Sequence, residues 1–324
     1  MTGHSDRVLV TGASGFVGRH LIRRLTDTLP DATLLAVGGP NEDGVGLDLL
    51  DAAAVQTLVR DFAPTAVVHL AAASSVAQTA DAPLTAWDVN VIGLRNLAVA
   101  LLRLPSPVRL VFPSSAEVYG RAFLDGPCGE DTPPQPASGY GRTKLAGEFL
   151  LRDLAGPGLQ VVALRLFNHT GPGQDTRFVV PGFADQIARL EQLPGGGAIR
   201  VGNLDAQRDF THVADIIDAY LAVLQAPTGG SPFALYNVGS GAPRSIRSVL
   251  DALLALTSGD ITAEIDPDRL RPSEIPVAQG LFSRFATDYG WRPTHPFETA
   301  LAAVLDDRRA RLCWSLAQGG DEAR

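Results

Sequence analysis

The stretch Val8-Leu9-Val10-Thr11-Gly12-Ala13-Ser14-Gly15-Phe16-Val17-Gly18 decides the fold. Its apolar start reads as a buried strand. Three glycines at intervals of three follow, and beyond them Val17, Leu21, Ile22 and Leu25 recur at helical spacing. Strand, glycine turn and amphipathic helix in that order suit the pyrophosphate of a dinucleotide. Gly12 allows the tight turn, Gly15 lets the backbone approach the phosphates, and Gly18 lets helix and strand pack closely. The helix N-terminus adds N–H groups and a partial positive charge. Ser14, Phe16 and Val17, in the same loop, are expected at the coenzyme.

Outward from this loop, apolar segments at 34–37, 66–70, 108–112 and 161–164 alternate with helical patterns near 52–62, 84–104 and 139–154. Continuous apolar strands separated by helices predict an α/β fold, a doubly wound parallel sheet of the Rossmann kind covered on both faces. After residue 167 Gly and Pro become frequent, with helical patterns near 178–193 and 246–256. This predicts a smaller, discontinuous C-terminal substrate lobe. A helix at 213–224 and a strand at 235–238 are expected to return to the main sheet. The predicted division is 1–167 with about 203–241 for the dinucleotide domain, and about 168–202 with 242–312 for the lobe.

Bulk composition narrows the partners. The 324 residues are 45% hydrophobic and 19% charged, which suits a globular chain with a core. A net charge of -8 argues against nucleic acid or an anionic membrane as partner. There is no signal-like apolar start and no run of roughly 18 apolar residues. The two cysteines, Cys128 and Cys313, read as reduced thiols. A soluble cytoplasmic protein is expected.

A second motif carries chemistry: Tyr140-Gly141-Arg142-Thr143-Lys144. Four residues apart on a helix, the phenol and the ammonium share one face. A tyrosine, with a pKa of about 10, is a poor base at neutral pH, and the lysine cation together with a nicotinamide charge is expected to bring it down. Ser114-Ser115 follows a strand at its carboxyl end, where ligands bind parallel sheets. The strand after the glycine loop ends Val37-Gly38-Gly39-Pro40-Asn41, without the acid that would bind a 2′-hydroxyl, so NADP(H) is favoured and NAD(H) stays possible. Arg19 is the nearest counter-charge. Asp48 either accepts from the adenine or caps a helix.

Thr11 to Gly18, Pro113-Ser114-Ser115-Ala116-Glu117-Val118-Tyr119-Gly120 and Tyr140 to Lys144 together resemble the extended short-chain dehydrogenase/reductase family of nucleotide-sugar enzymes. His69-Leu70-Ala71-Ala72 and Asp88-Val89-Asn90-Val91-Ile92-Gly93 are similar to its intermediate motifs. The resemblance implies that Ser115, Tyr140 and Lys144 are the catalytic trio, and that Asn90 is a structural helix-kink residue. It also implies coenzyme contacts from Asp48, Leu49, Leu70, Ala71, Ala72, Ser114, Tyr140, Lys144 and Leu166.

Arg165 to Gly173, Val201 to His212 and Arg271-Pro272-Ser273-Glu274-Ile275-Pro276 resemble the branch of GDP-mannose 4,6-dehydratases and GDP-4-keto-6-deoxymannose reductases. By that resemblance Asn168, Arg208 and Arg271 hold a sugar-nucleotide diphosphate and Glu274 a ribose hydroxyl; Ser115, Glu117, Tyr140, Val180 and Val201 also meet the substrate. Arg208 could instead pair with Asp209, and Arg271 could be a solvated loop charge. Glu117 matches the base of the dehydratases, but similar reductases carry a glutamate there too. The glycine loop and Ser273 to Pro276 are the reductase-like features. The expected activity is NAD(P)H-dependent reduction of a GDP- or dTDP-linked 4-keto-6-deoxyhexose. A 4,6-dehydratase or epimerase, or a non-catalytic NADP(H)-binding regulator, are the alternatives. The spacing of His69, His169 and His212 fits no zinc pattern, so no metal is expected. Helices 84–104 and 139–154 are expected to build a homodimer.

Overall fold

A computed structural model describes residues 6–40, 45–227, 230–270 and 275–319. The chain forms two compact units. Met1–Phe167, Ile216–Val238 and Gly280–Arg292 make the first, and Asn168–Asp215, Gly239–Gln279 and Pro293–Arg324 the second.

In the first unit, β1 (Arg7–Thr11), α1 (Phe16–Thr28), β2 (Thr33–Gly38), β3 (Val45–Gly46), α2 (Ala52–Phe62) and β4 (Ala66–His69) come first. Then follow α3 (Val76–Asp81), α4 (Pro83–Trp87), a π-helical turn at Asp88–Gly93, α5 (Leu94–Leu102), β5 (Val108–Ser115), α6 (Gly139–Leu154) and β6 (Leu159–Leu166). The second unit opens with β7 (Asn168–Thr170), α7 (Val179–Leu190), β8 (Gly197–Val201) and β9 (Gln207–His212). The chain continues through α8 (Val213–Gln225), β10 (Phe233–Val238), β11 (Pro243–Ser245), α9 (Ile246–Leu254), β12 (Ile261–Ile265), β13 (Val277–Ala278), α10 (Ser283–Tyr289) and α11 (Phe297–Gly319).

Seven parallel strands form the central sheet in the order β10-β6-β5-β4-β1-β2-β3. The strand order reverses between β1 and β4, where doubly wound sheets bind ligands at their carboxyl ends. Leu9, Val67, Leu110, Phe112, Val161 and Ala163 from the strands meet Val55, Val59, Leu94, Leu97, Leu101 and Leu151 from the helices in one buried core. This is why the strands read as unbroken apolar runs. The expected return of residues 235–238 to the main sheet is met by β10, which pairs with β6.

Two boundaries differ from the sequence reading. Residues 203–215 and 239–241 belong to the second unit, because β9 pairs with β7, β11 and β13 rather than with the central sheet. Residues 280–292 join the first unit, where Phe285 packs edge-on against Tyr236 at 5.4 Å and against Trp291 at 5.5 Å. The second unit has its own core, built from Phe183, Ile187, Ile199, Phe210, Leu250, Leu301 and Leu305 among others.

The predicted helix at 84–104 is broken by the π-helical turn. Asn90 sits in that turn, buried, and ties three segments together. Its side-chain oxygen accepts from Ala73 N at 2.8 Å, while its amide donates to Ala73 O at 3.2 Å and to Thr143 Oγ1 at 2.9 Å. A π turn lets a helix offer a side chain sideways without ending. None of the described helices is long and apolar enough to cross a membrane.

Close packing of α1 on the turn before it requires glycine at position 18, where a Cβ would lie 2.3 Å from Gly12 O and 2.5 Å from Ala13 O. Both obstacles are backbone. Gly18→Ala is therefore expected to lower unfolding stability by about 1–3 kcal/mol in coenzyme-free urea denaturation. An unchanged midpoint would contradict this packing.

Candidate active site

The glycine loop leaves β1 at the sheet's carboxyl edge. Gly12 has φ +68°, and a Cβ there would lie 2.6 Å from Ala71 N. Glycine is thus needed both for the turn and for the approach to the segment after β4. Gly15 occupies the N-cap of α1 with no side chain bonded across the helix end, and no acid stands in the first turn. The first-turn N–H groups point outward as a site for an anion. These residues fit a dinucleotide pyrophosphate. Ser14 on the loop and Phe16 and Val17 in the first turn of α1 lie half-buried, and Arg19 donates to the Ser14 carbonyl. Leu70, Ala71 and Ala72 follow β4 half-buried, and Leu166 ends β6 buried.

Asp48 accepts from Leu50 N at 2.9 Å. The helix cap is Asp51 instead, which accepts from Ala53 N and Ala54 N at 3.0 Å each. The capping alternative for Asp48 is therefore corrected. The neighbouring Leu49 is buried, and its side chain belongs to the core.

Helix α6 begins at the N-cap Ser138, whose hydroxyl accepts from Gly141 N at 3.0 Å. Gly141 and Gly147 let it lie against the end of β5: a Cβ would meet Glu117 O at 2.4 Å or the Phe112 ring at 2.8 Å. Tyr140 and Lys144 then face the strand end. The Lys144 ammonium is buried, donates to Pro113 O at 2.8 Å and lies 5.1 Å from the Phe112 ring centre and 5.8 Å from that of Tyr140. Ser115, the last residue of β5, lies beside the Tyr140 phenol and accepts from Glu117 N at 3.2 Å. Glu117 in turn accepts from the Ser138 hydroxyl at 3.2 Å. Ser115, Tyr140 and Lys144 lie together at the end of β5.

Burial pushes the Tyr140 phenol above its ordinary value, the Glu117 charge pushes it further, and Ser115 opposes both. Burial lowers Lys144 itself to about 8 against the support of Glu148. His69 ends β4 fully buried, bonded through Nδ1 to Thr11 Oγ1 at 2.8 Å, and is pushed to about 3 by burial and then by Lys144. It is a neutral hydrogen-bonding histidine. His212 likewise accepts from Ala214 N at 3.0 Å.

Beneath the trio lies a polar layer that the sequence reading missed. Ser114 donates to Glu148, and Arg165 clasps the same carboxylate at 2.9 and 2.7 Å. The Ser114 hydroxyl is thus committed to protein, which leaves its backbone to offer a coenzyme. Arg165 covers the Tyr119 ring at 4.7 Å, and the Tyr119 hydroxyl donates to Asn237 at 2.6 Å. The signal was present in the sequence as Tyr140, Lys144 and Glu148, one helical turn apart each.

The expected substrate residues of the second unit are less uniform. Asn168 is exposed on β7. Arg208 donates to Gln207 O at 2.7 Å, and Asp209 is held by Ser240 and Gly241 at 2.7–2.8 Å, so the Arg208–Asp209 pair is not what positions either. Val180 and Val201 are corrected: both are 1% exposed in the core, with no side-chain surface for a sugar. Arg271 and Glu274 lie outside the described residues.

Residues 8–239 match the NAD dependent epimerase/dehydratase family. The chain belongs to that family. It is 34% identical over 310 residues to GDP-6-deoxy-D-mannose reductase of Pseudomonas aeruginosa, covering 95% of this chain and 99% of the relative. It is 32% identical over 315 residues to UDP-glucose 4-epimerase of Azospirillum brasilense, covering 91% and 89%. Among solved structures it is similar to RMD from Pseudomonas aeruginosa complexed with NADPH, with TM-score 0.84 and 32% identity over 95% of this chain and 100% of that one. Membership makes this a nicotinamide-dependent redox enzyme.

The lowered Lys144 has a stability consequence. Its folded value is about 8 against an ordinary 10.5, so between these the unfolded chain binds more protons and stability rises with pH. Relative to Lys144→Met, the protein is expected to gain about 2 kcal/mol of unfolding stability between pH 7 and pH 10. Parallel urea-denaturation series at the two pH values measure it; a constant gap would show that Lys144 is not desolvated.

Proposed function

We propose that the protein is an NADPH-dependent reductase of a nucleoside-diphosphate 4-keto-6-deoxyhexose. The observation that carries this reading is full-length similarity to a reductase, 34% identical over 310 residues. A buried phenol that holds its proton suits the donor that reduction requires.

NADPH, held by the glycine loop from Gly12 to Gly15 and the N-terminus of α1, would supply hydride chemistry at the C4 carbonyl. Ser115 orients and polarises that carbonyl oxygen. Tyr140 gives its proton to the oxygen as negative charge develops. Lys144 holds the coenzyme ribose and stabilises the phenolate left behind. Asn168, Arg208 and Arg271 bind the diphosphate, for which planar guanidinium donors are suited, and Glu274 takes a ribose hydroxyl. NADPH is favoured over NADH because β2 runs into Gly38, Gly39 and Pro40 without a carboxylate to repel a 2′-phosphate. The similar structure of RMD from Pseudomonas aeruginosa is also complexed with NADPH. A GDP-linked sugar is favoured by the same relative, with a dTDP-linked one as the alternative.

The test supplies GDP- and dTDP-4-keto-6-deoxyhexoses with NADPH and follows loss of reduced-coenzyme absorbance. Oxidation with at least one is expected. Tyr140→Phe is expected to lower kcat at least 1,000-fold, of the order that general acid catalysis contributes (roughly 10²–10⁴-fold), with coenzyme affinity retained. No oxidation with either sugar, together with dehydration of GDP-mannose by tightly held oxidised coenzyme, would overturn the reading in favour of a 4,6-dehydratase.

We also propose a cytoplasmic homodimer. The two cysteines are free, as reducing surroundings require. Leu84, Trp87, Val99 and Leu102 are exposed on α4 and α5, and Phe149 is 57% exposed on α6. Large apolar groups gathered on adjacent helices mark an association surface. Light scattering is expected to give a dimer for the wild type and a monomer for Trp87→Asp/Phe149→Asp; a monomeric wild type would remove the proposal.

A further inference from the structure

Lys144 is the only lysine in the chain; the other 26 of the 27 basic Lys and Arg residues are arginine. It is also buried, within a strand-and-helix layer that offers it one backbone carbonyl, Pro113 O. The ionisable groups that face it are few. His69 approaches from β4 and is neutral. Tyr140 and Glu148 stand one turn before and one turn after it on α6. Glu117, after β5, acts on Tyr140, while Arg165 of β6 faces Glu148 with its guanidinium over Tyr119. Glu148 is thus the carboxylate that supports the ammonium, and it is shared with a second cation.

The geometry of that carboxylate is fully determined. One oxygen accepts from the Ser114 hydroxyl and from Arg165 Nε at 2.9 Å; the other accepts from Arg165 Nη2 at 2.7 Å. Ser114 and Arg165 are register partners across β5 and β6. The carboxylate therefore fastens α6 to the carboxyl ends of two adjacent strands, one turn from the lysine. Such a buried pair is costly to assemble, and a hydrophobic replacement could pack as well. Its position suggests a reason for retaining it.

We propose that Glu148 is a positioning residue for Lys144: clamped by Ser114 and Arg165, it holds the lysine's helical turn against β5 and places a negative charge one turn from the buried ammonium. Arg165 tempers that charge. This role rests on the reductase reading above only in saying what the ammonium is for. Without Glu148 the ammonium would lie among Phe112, Tyr140 and a backbone carbonyl, with burial opposing its charge and no carboxylate to favour it. A deprotonated lysine cannot stabilise a phenolate.

Because the lysine is unique, labelling with ¹³Cε-lysine gives one side-chain signal, whose pH titration reports Lys144 directly. Glu148→Gln keeps the shape and one acceptor for Arg165, and is expected to lower the Lys144 pKa by about one unit, a tenfold loss of proton affinity. Arg165→Gln leaves the carboxylate less neutralised and is expected to raise it. A loosened fold would move both variants the same way, toward an exposed lysine. Opposite shifts support the proposal; an unmoved titration in Glu148→Gln, or shifts of one sign in both, overturn it. Should Glu148→Gln not fold, Arg165→Gln decides alone, a rise supporting and no rise overturning. In ketosugar reduction the alkaline limb of kcat should move with the titration. If the wild type reduces no ketosugar, the proposed reaction falls while the titration still judges Glu148.

Discussion

The first unit depends on helix α6 lying in backbone contact with the end of β5. Gly141 and Gly147 remove the side chains that would separate them, and Asn90 closes the other side by bonding Thr143 on α6. With the helix this near, a lysine can reach Pro113 O and a phenol can reach Ser115. A helix even one methyl group farther out would leave three polar side chains near one another without defined bonds. Geometry of this kind has to be held by rigid elements, because a catalytic group misplaced by an ångström loses much of its effect.

The same closeness explains why the site's charges are unusual. Polar groups at the sheet edge are removed from water by the helix that positions them, so each must be bonded or neutral. His69 solves this by losing its proton and bonding Thr11. Arg165 and Glu148 solve it as a pair. Lys144 retains its charge at a cost, and Tyr140 retains its proton.

Much of this was legible in the sequence. Strands buried on both faces must be apolar throughout, so β1, β4, β5 and β6 stood out, and α2 and α6 were found at their observed limits. The glycine spacing marked a turn that steric contact with Ala71 does require. What escaped was tertiary in origin. The kink at Asn90 was expected from resemblance alone; its physical cause, Asn90 reaching Ala73 and Thr143 at 17 and 53 residues' distance, was not visible locally. The rise of the Tyr140 pKa follows from burial, which the motif cannot express. Val180 and Val201 fitted an expected sugar contact by position, yet their side chains serve the second core. Glu148 was visible at the right spacing, but nothing local revealed that Ser114 and Arg165 would meet it.

A surface whose cations are all guanidiniums has an electrical consequence. Ammonium groups would begin to discharge near pH 10, whereas arginine holds its charge beyond about 12. The outer basic charge of this molecule is therefore constant across the alkaline range, and reagents that seek primary amines find no side-chain target outside the interior. Alkaline changes in proton uptake are left to the tyrosines, the two thiols, the terminal amine and one enclosed nitrogen.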